Sequence, residues 1–179
     1  MSVAGACGGG DGGSAVDAAA GASGEPASLA GITGAHNQVR AMVQTSPALE
    51  PLAWDDDLAA TAAAWVARCQ DQDAPSGLID HNPGRSDGHP YYVGENVFAS
   101  TGKATAEAAV GSWADEASDY DLGANTCASN AVCGHYTQLV WRTTLKVGCA
   151  IGACPGLAFP NTIVCDYGPG GNVNGQRPY

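Results

Sequence analysis

The sequence predicts an α+β domain in which helices pack around a small, mainly antiparallel sheet. Three observations point there. Apolar residues recur at helical spacing through the first half of the chain, strand-like runs close it, and six cysteines, from Cys69 to Cys165, fall in the part that should fold.

Residues 1–27 are Gly, Ala, Ser and acidic residues with almost no bulky side chains. Such a segment cannot bury enough apolar area to offset its chain entropy, so it reads as a flexible tether ahead of a domain spanning 28–179. Ser28 is placed as an N-cap. Leu29, Ile32, His36, Val39 and Val43 follow at helical spacing to about Gln44. Pro47 and Pro51 break the chain. Asp55, Asp56 and Asp57 then open a second helix, with Leu58, Ala62, Trp65, Val66 and Cys69 on one stripe. Residues 71–91 form a long loop that carries His81 and His89. The segment 92–99 is a short helix or an extended stretch. Thr105 opens a helix through Ala109, Trp113, Glu116 and Tyr120. The strand candidates are 136–142, 147–151 and 162–167. In the first of them alternation puts His135, Thr137, Leu139 and Trp141 on one face.

Eighteen acidic against seven basic residues give a formal charge of -11. That balance argues against a nucleic-acid backbone or an anionic membrane surface as partner. No apolar run is long enough to span a bilayer. The cysteine content indicates an oxidising compartment, and with no Cys-x-x-Cys pair a zinc ribbon is disfavoured. An even set of six fits three disulfides, whose connectivity the sequence leaves open. Cys7 stands apart. Small residues before it (Ala4-Gly5-Ala6) and a flexible polar run after it are similar to a bacterial lipoprotein acylation site, which makes Cys7 a lipidation candidate and the cell surface a candidate location.

The chemistry-bearing residues are few. Trp113 and Glu116 share a helix face, so an inward Trp113 sets Glu116 at the edge of the core. A carboxylate there needs a partner or takes up a proton. His135, entered from Cys133-Gly134, is one candidate partner. Glu95, just after Gly94, is a second acid with buried-looking neighbours. Two Glu converging with one or two His would make either a metal site or an acid–base pair.

The stretch Gly-His-Tyr-Thr-Gln-Leu-Val-Trp-Arg-Thr-Thr, residues 134–144, resembles the signature of the CAP superfamily, which includes cysteine-rich secretory proteins, venom allergens and plant pathogenesis-related proteins. His36-Asn37 and Arg40 resemble its first-helix motif, and Leu52, Trp54, Leu58, Ala59 and Cys69 its second. Gly94-Glu95-Asn96 and Trp113-x-x-Glu116 match further motifs. Gly148-Cys149, Cys165, Tyr167, Pro169, Gly171-Asn172 and the ending Pro178-Tyr179 match a second signature. Asp166 stands where the family has Asn or a similar residue, Thr162 where it favours an apolar one, and the loop between His81 and Gly94 is longer than in many members.

The resemblance implies a three-layer α-β-α sandwich with a central cleft. Carried over, the cleft residues are His81, Glu95, Glu116 and His135, able to hold zinc or magnesium. His89 competes with His81 for the first place, while His36 reads as a hydrogen-bonded core histidine. The implied disulfides are Cys69–Cys154, Cys127–Cys133 and Cys149–Cys165, each stabilising by roughly 2–4 kcal/mol. The implied function is that of a secreted or surface-tethered binding module for a lipid, a sterol or a partner protein. One alternative is a metal-dependent hydrolase or peptidase with Glu95, Glu116 and His135 as catalytic candidates. The other is a purely structural His/Glu cluster.

Overall fold

The computed structural model describes residues 24–179. Cys7 and most of the expected tether lie outside the described residues. Near the start of the described residues, the Glu25 carboxylate accepts hydrogen bonds from the Gly31 and Thr33 amides at 2.7 and 2.9 Å. Those amides open helix α1 (Ile32–Met42), which has Gly31 at its N-cap and no capping side chain of its own. Ser28 is therefore not the cap. It sits in a short 3-10 turn, Ala27–Leu29, ahead of the helix. The buried face of α1 carries Ile32, Thr33, His36 and Arg40, with Val39 and Val43 partly buried against the same core.

Strand β1 (Ala53–Trp54) leads into helix α2 (Asp56–Val66). Asp55 caps that helix by accepting from the Leu58 amide at 3.0 Å, and Asp56 and Asp57 add negative charge at the positive end of its dipole. The 92–99 ambiguity resolves to strand β2 (Gly94–Ser100). Helix α3 (Ala106–Asp115) starts at the Thr105 cap and stops sooner than its apolar pattern suggests. Glu116–Asp119 tightens to a 3-10 turn, and Tyr120–Asp121 is already strand β3, paired with β4 (Thr126–Cys127).

Residues 136–142 are not a strand: Gly134–Leu139 form helix α4. Tyr136, Thr137, Gln138, Leu139, Val140 and Trp141 are all buried. A segment buried on every side shows no two-residue alternation and no helical stripe, so periodicity cannot decide it. Two strands then close the fold, β5 (Lys146–Ala153) and β6 (Asn161–Gly168).

The main sheet runs β1-β5-β6-β2, antiparallel except for the β1–β5 pair. Helix α2 packs on one face, with Ala62, Trp65 and Val66 against Val97, Ala150 and Val164. Helices α1, α3 and α4 cover the other through Ile32, Trp113 and Leu139 against Val147, Ile163 and Tyr167. The result is the α-β-α sandwich. Disulfides join Cys69–Cys154, Cys127–Cys133 and Cys149–Cys165. The second ties β4 to Cys133, the residue that precedes α4 and His135, and so anchors the start of that helix.

Candidate functional site: two histidine–glutamate pairs at the sheet edge

The four expected residues meet two by two. His135 Nδ1 lies 2.5 Å from Glu116 Oε1, and the other oxygen of Glu116 accepts from the His135 and Tyr136 amides at 3.0 and 3.1 Å. Glu116 thus does two jobs. It satisfies the first free amides of α4, which has no capping side chain of its own, and it holds the ring of the first histidine on that helix. His81 Nδ1 lies 2.6 Å from Glu95 Oε1, which also accepts from the Asn82 amide at 2.9 Å. The two arrangements repeat one pattern, a carboxylate gripping an imidazole together with a nearby amide.

A carboxylate only accepts, so each Nδ1 is the protonated nitrogen. Each Nε2 is then left without a hydrogen-bond partner among the described residues. Both rings reach solvent, with side-chain exposures of 58% for His81 and 26% for His135, while the Glu95 side chain is fully buried.

The edge strand β2 relates the two pairs. Glu95 and Asn96 are consecutive and project to opposite faces. Glu95 meets His81 on the α2 face. Asn96 donates on the other face to the His135 carbonyl at 3.1 Å and to the Tyr167 hydroxyl at 3.2 Å. Among the described residues no group of three or more His, Cys, Asp or Glu side chains gathers closely enough to hold a metal ion. The structure therefore presents two paired imidazoles flanking one strand, each backed by its own acid.

Gly94 keeps this edge in shape. A Cβ there would fall 2.0 Å from Gln138 Oε1, an atom that accepts from the Gly171 amide at 2.8 Å. The long loop before it is tied down by Arg85, which donates to the Val93 and Asn82 carbonyls at 2.8 Å each.

The remaining histidines are engaged elsewhere. His89 Nε2 contacts Thr61 Oγ1 at 3.1 Å and its ring stacks on Tyr91. His36 is fully buried, with Nδ1 on the Ile32 carbonyl and Nε2 on the Tyr167 hydroxyl, both at 2.8 Å. The carbonyl fixes Nδ1 as donor, so Tyr167 donates to Nε2 and in turn accepts from Asn96. Burial lowers the His36 pKa to about 4, with the nearby Arg40 charge acting in the same direction. The chain His36–Tyr167–Asn96 ends on the His135 backbone, and Trp113 stacks on the His135 ring with centroids 6.2 Å apart.

Two residues escaped a role in the sequence reading. Asn96 looked like part of a motif, and nothing nearby in sequence shows that it reaches His135. Asp166 stood out only as a departure from a pattern. The β2–β6 register sets it directly opposite Glu95, fully buried, with no hydrogen-bond partner for either oxygen. Burial, and then the Glu95 charge, raise its pKa to about 9 against the opposing pull of Arg85. Thr162, the other departure, is also buried on β6 with an unpartnered hydroxyl.

Comparison with known proteins identifies the family and the fold. The family model described as "CAP: Cysteine-rich secretory protein family" matches residues 33–167. Pathogenesis-related protein 1B of Nicotiana tabacum is 42% identical over 146 residues, covering 81% of this chain and 77% of the relative. GLIPR1-like protein 1 of Bos taurus is 37% identical over 153 residues, covering 80% of this chain and 59% of that longer protein. Among solved structures, venom allergen-like protein 4 of Schistosoma mansoni superposes with a TM-score of 0.60 at 28% identity, covering 83% of this chain and 90% of that one. NaASP2, crystallised with Zn2+, gives 0.57 at 25% identity, covering 83% and 82%. Signatures, fold and disulfides thus agree with one another, and the chain belongs to the CAP, or cysteine-rich secretory protein, family.

Proposed function

We propose that this protein is an extracellular or cell-surface binding module whose two supported imidazoles, His81 and His135, take up a divalent cation without turning over a substrate. One observation carries the reading: in both pairs the Nδ1 proton is committed to a carboxylate and Nε2 is left unbonded on a solvent-reached ring. This is the arrangement in which a carboxylate orients a metal-binding histidine from behind and raises its basicity. The residues fit zinc better than magnesium, which prefers oxygen ligands. That NaASP2 was crystallised with Zn2+ supports the same choice.

Glu95 and Glu116 are supports in this reading and not ligands. Each already accepts an imidazole proton and at least one backbone amide. Zinc hydrolases typically use three protein ligands and one open position. Two imidazole nitrogens fall short of that count, which favours binding over hydrolysis. The family's secretory character and the three disulfides support a location in an oxidising compartment. Among the described residues no helix is long and apolar enough to cross a membrane. Surface attachment, where it occurs, falls to Cys7, and the bound partner is a lipid, a sterol or another protein.

Calorimetric titration of zinc into wild type, His81→Ala and His135→Ala tests the cation site. Each substitution should weaken binding at least tenfold, and Glu116→Gln should weaken it by about 10- to 100-fold. Unchanged affinity in His135→Ala refutes the site. Chelator-sensitive cleavage of ester or peptide substrates by wild type, abolished in Glu95→Gln/Glu116→Gln, would refute the assignment as a non-catalytic module.

A further inference from the structure

Glu95 and Asp166 face each other across the β2–β6 pair, on the sheet face that α2 covers. Like charges directly opposite in a sheet repel, and here neither side chain reaches water. Their inward oxygens, Glu95 Oε2 and both oxygens of Asp166, have no donor among the described residues. The surroundings supply none. Helix α2 turns Leu58, Ala62, Trp65 and Val66 toward the sheet, and Asp166's neighbour on β5 is Gly148. The cation that acts on Asp166, Arg85, already bonds two backbone carbonyls and the Tyr92 hydroxyl. Two buried acceptors in this position are reconciled by a single proton between them.

The hydrogen bonds say which residue carries it. Glu95 Oε1 already accepts from the His81 imidazole and the Asn82 amide. Asp166 receives nothing. We infer that Asp166 is a positioning residue: as a neutral carboxylic acid it donates a hydrogen bond to Glu95 Oε2, which fixes the Glu95 carboxylate against His81 and keeps the His81 proton on Nδ1. The upward shift of Asp166, driven first by burial and then by Glu95, agrees with this placement. An Asn at this position would donate the same bond through its amide. The Asp reproduces that amide only by holding a proton.

The inference rests on His81 being an ion-holding imidazole, and its test reads the imidazole itself, so a protein that binds no zinc still passes or fails it. The full chain is labelled with 15N-histidine, and the His81 ring nitrogens are observed at pH 8 in wild type, Asp166→Asn and Asp166→Leu, with a thermal melt for each. Wild type and Asp166→Asn should both show the Nδ1-protonated ring. Asp166→Leu, folded, should show the two tautomers mixed. Should the leucine variant fail to fold, the wild-type protein decides through its 13C-labelled aspartate, whose Asp166 resonance should be that of an acid and not of a carboxylate. A folded leucine variant with wild-type His81 signals, an asparagine variant that loses them, or an ionised Asp166 would each overturn the inference.

Discussion

Acidification should destabilise the fold through His36, and the size of the effect follows from where that ring sits. His36 is fully buried, donates from Nδ1 to the Ile32 carbonyl and accepts at Nε2 from Tyr167. A second ring proton would replace the acceptor that Tyr167 needs with a donor, and would place a cation in the same core as the buried Arg40 guanidinium. The pKa accordingly falls from 6.5 to about 4. Between those two values the unfolded chain binds a proton at this residue and the folded chain does not, so stability rises with pH across the window. The contribution is fully present above pH 6.5 and is lost as pH drops through 4. A difference of about 2.5 units is worth about 3 kcal/mol. Asp166 acts in the opposite sense over the same range, because there the folded protein holds a proton that the unfolded chain lacks. The net slope of wild type is therefore not the test. Urea unfolding of wild type and His36→Gln at intervals from pH 4 to 7 isolates the His36 part as the difference between two curves. That difference should change by about 3 kcal/mol in favour of wild type as pH rises. A flat difference, or an NMR titration of His36 with a midpoint near 6.5, refutes the argument.

Two further outcomes follow from packing. Arg40 is buried and donates to the carbonyls of Glu50, Leu139, Trp141 and Thr144, so it joins α1 to both ends of the segment after α4. Arg40→Met should cost about 3–5 kcal/mol in chemical denaturation, because several buried carbonyls lose a charged donor at once; a loss below about 1 kcal/mol would show that water takes its place. At Gly148 an added Cβ would fall 2.2 Å from the Ala59 amide nitrogen and 2.5 Å from the Asp55 carbonyl. Gly148→Ala must push α2 off the sheet, and a melt should show a loss of about 1–3 kcal/mol or more; an unchanged melting temperature would mean that the helix shifts freely.

How much of this was legible depended on whether the signal was local. The Asp55 and Thr105 caps act within three residues, and both were readable. Strands β5 and β6 could be read because short apolar runs with Val and Ile pack there between two helical layers. The start of α1 misled because its capping acid, Glu25, comes from a stretch whose composition looks like linker. Helix α4 was misread for the same physical reason on a larger scale. What satisfies its first amides is Glu116, nineteen residues upstream of His135, and what hides its period is burial on all sides.

The site shows the limit more sharply. Family motifs singled out these two acids and two imidazoles, and spacing put Glu116 near the core edge. Neither showed that the residues combine as pairs, nor that the carboxylates stand behind the rings. That arrangement is set by backbone atoms. Glu95 is held by the Asn82 amide, Glu116 by the first amides of α4, and His135 by a bond from Asn96 to its carbonyl. Main-chain donors carry no identity in the sequence, so a motif can be complete while the partner that orients it stays invisible. The same logic separates the two histidine candidates in the long loop. His89 is nearer Glu95 along the chain, yet Glu95 Oε1 bonds the Asn82 amide, which necessarily carries the residue before it, His81, within reach. Asn82→Pro would remove that amide and cost His81 its hold on Glu95.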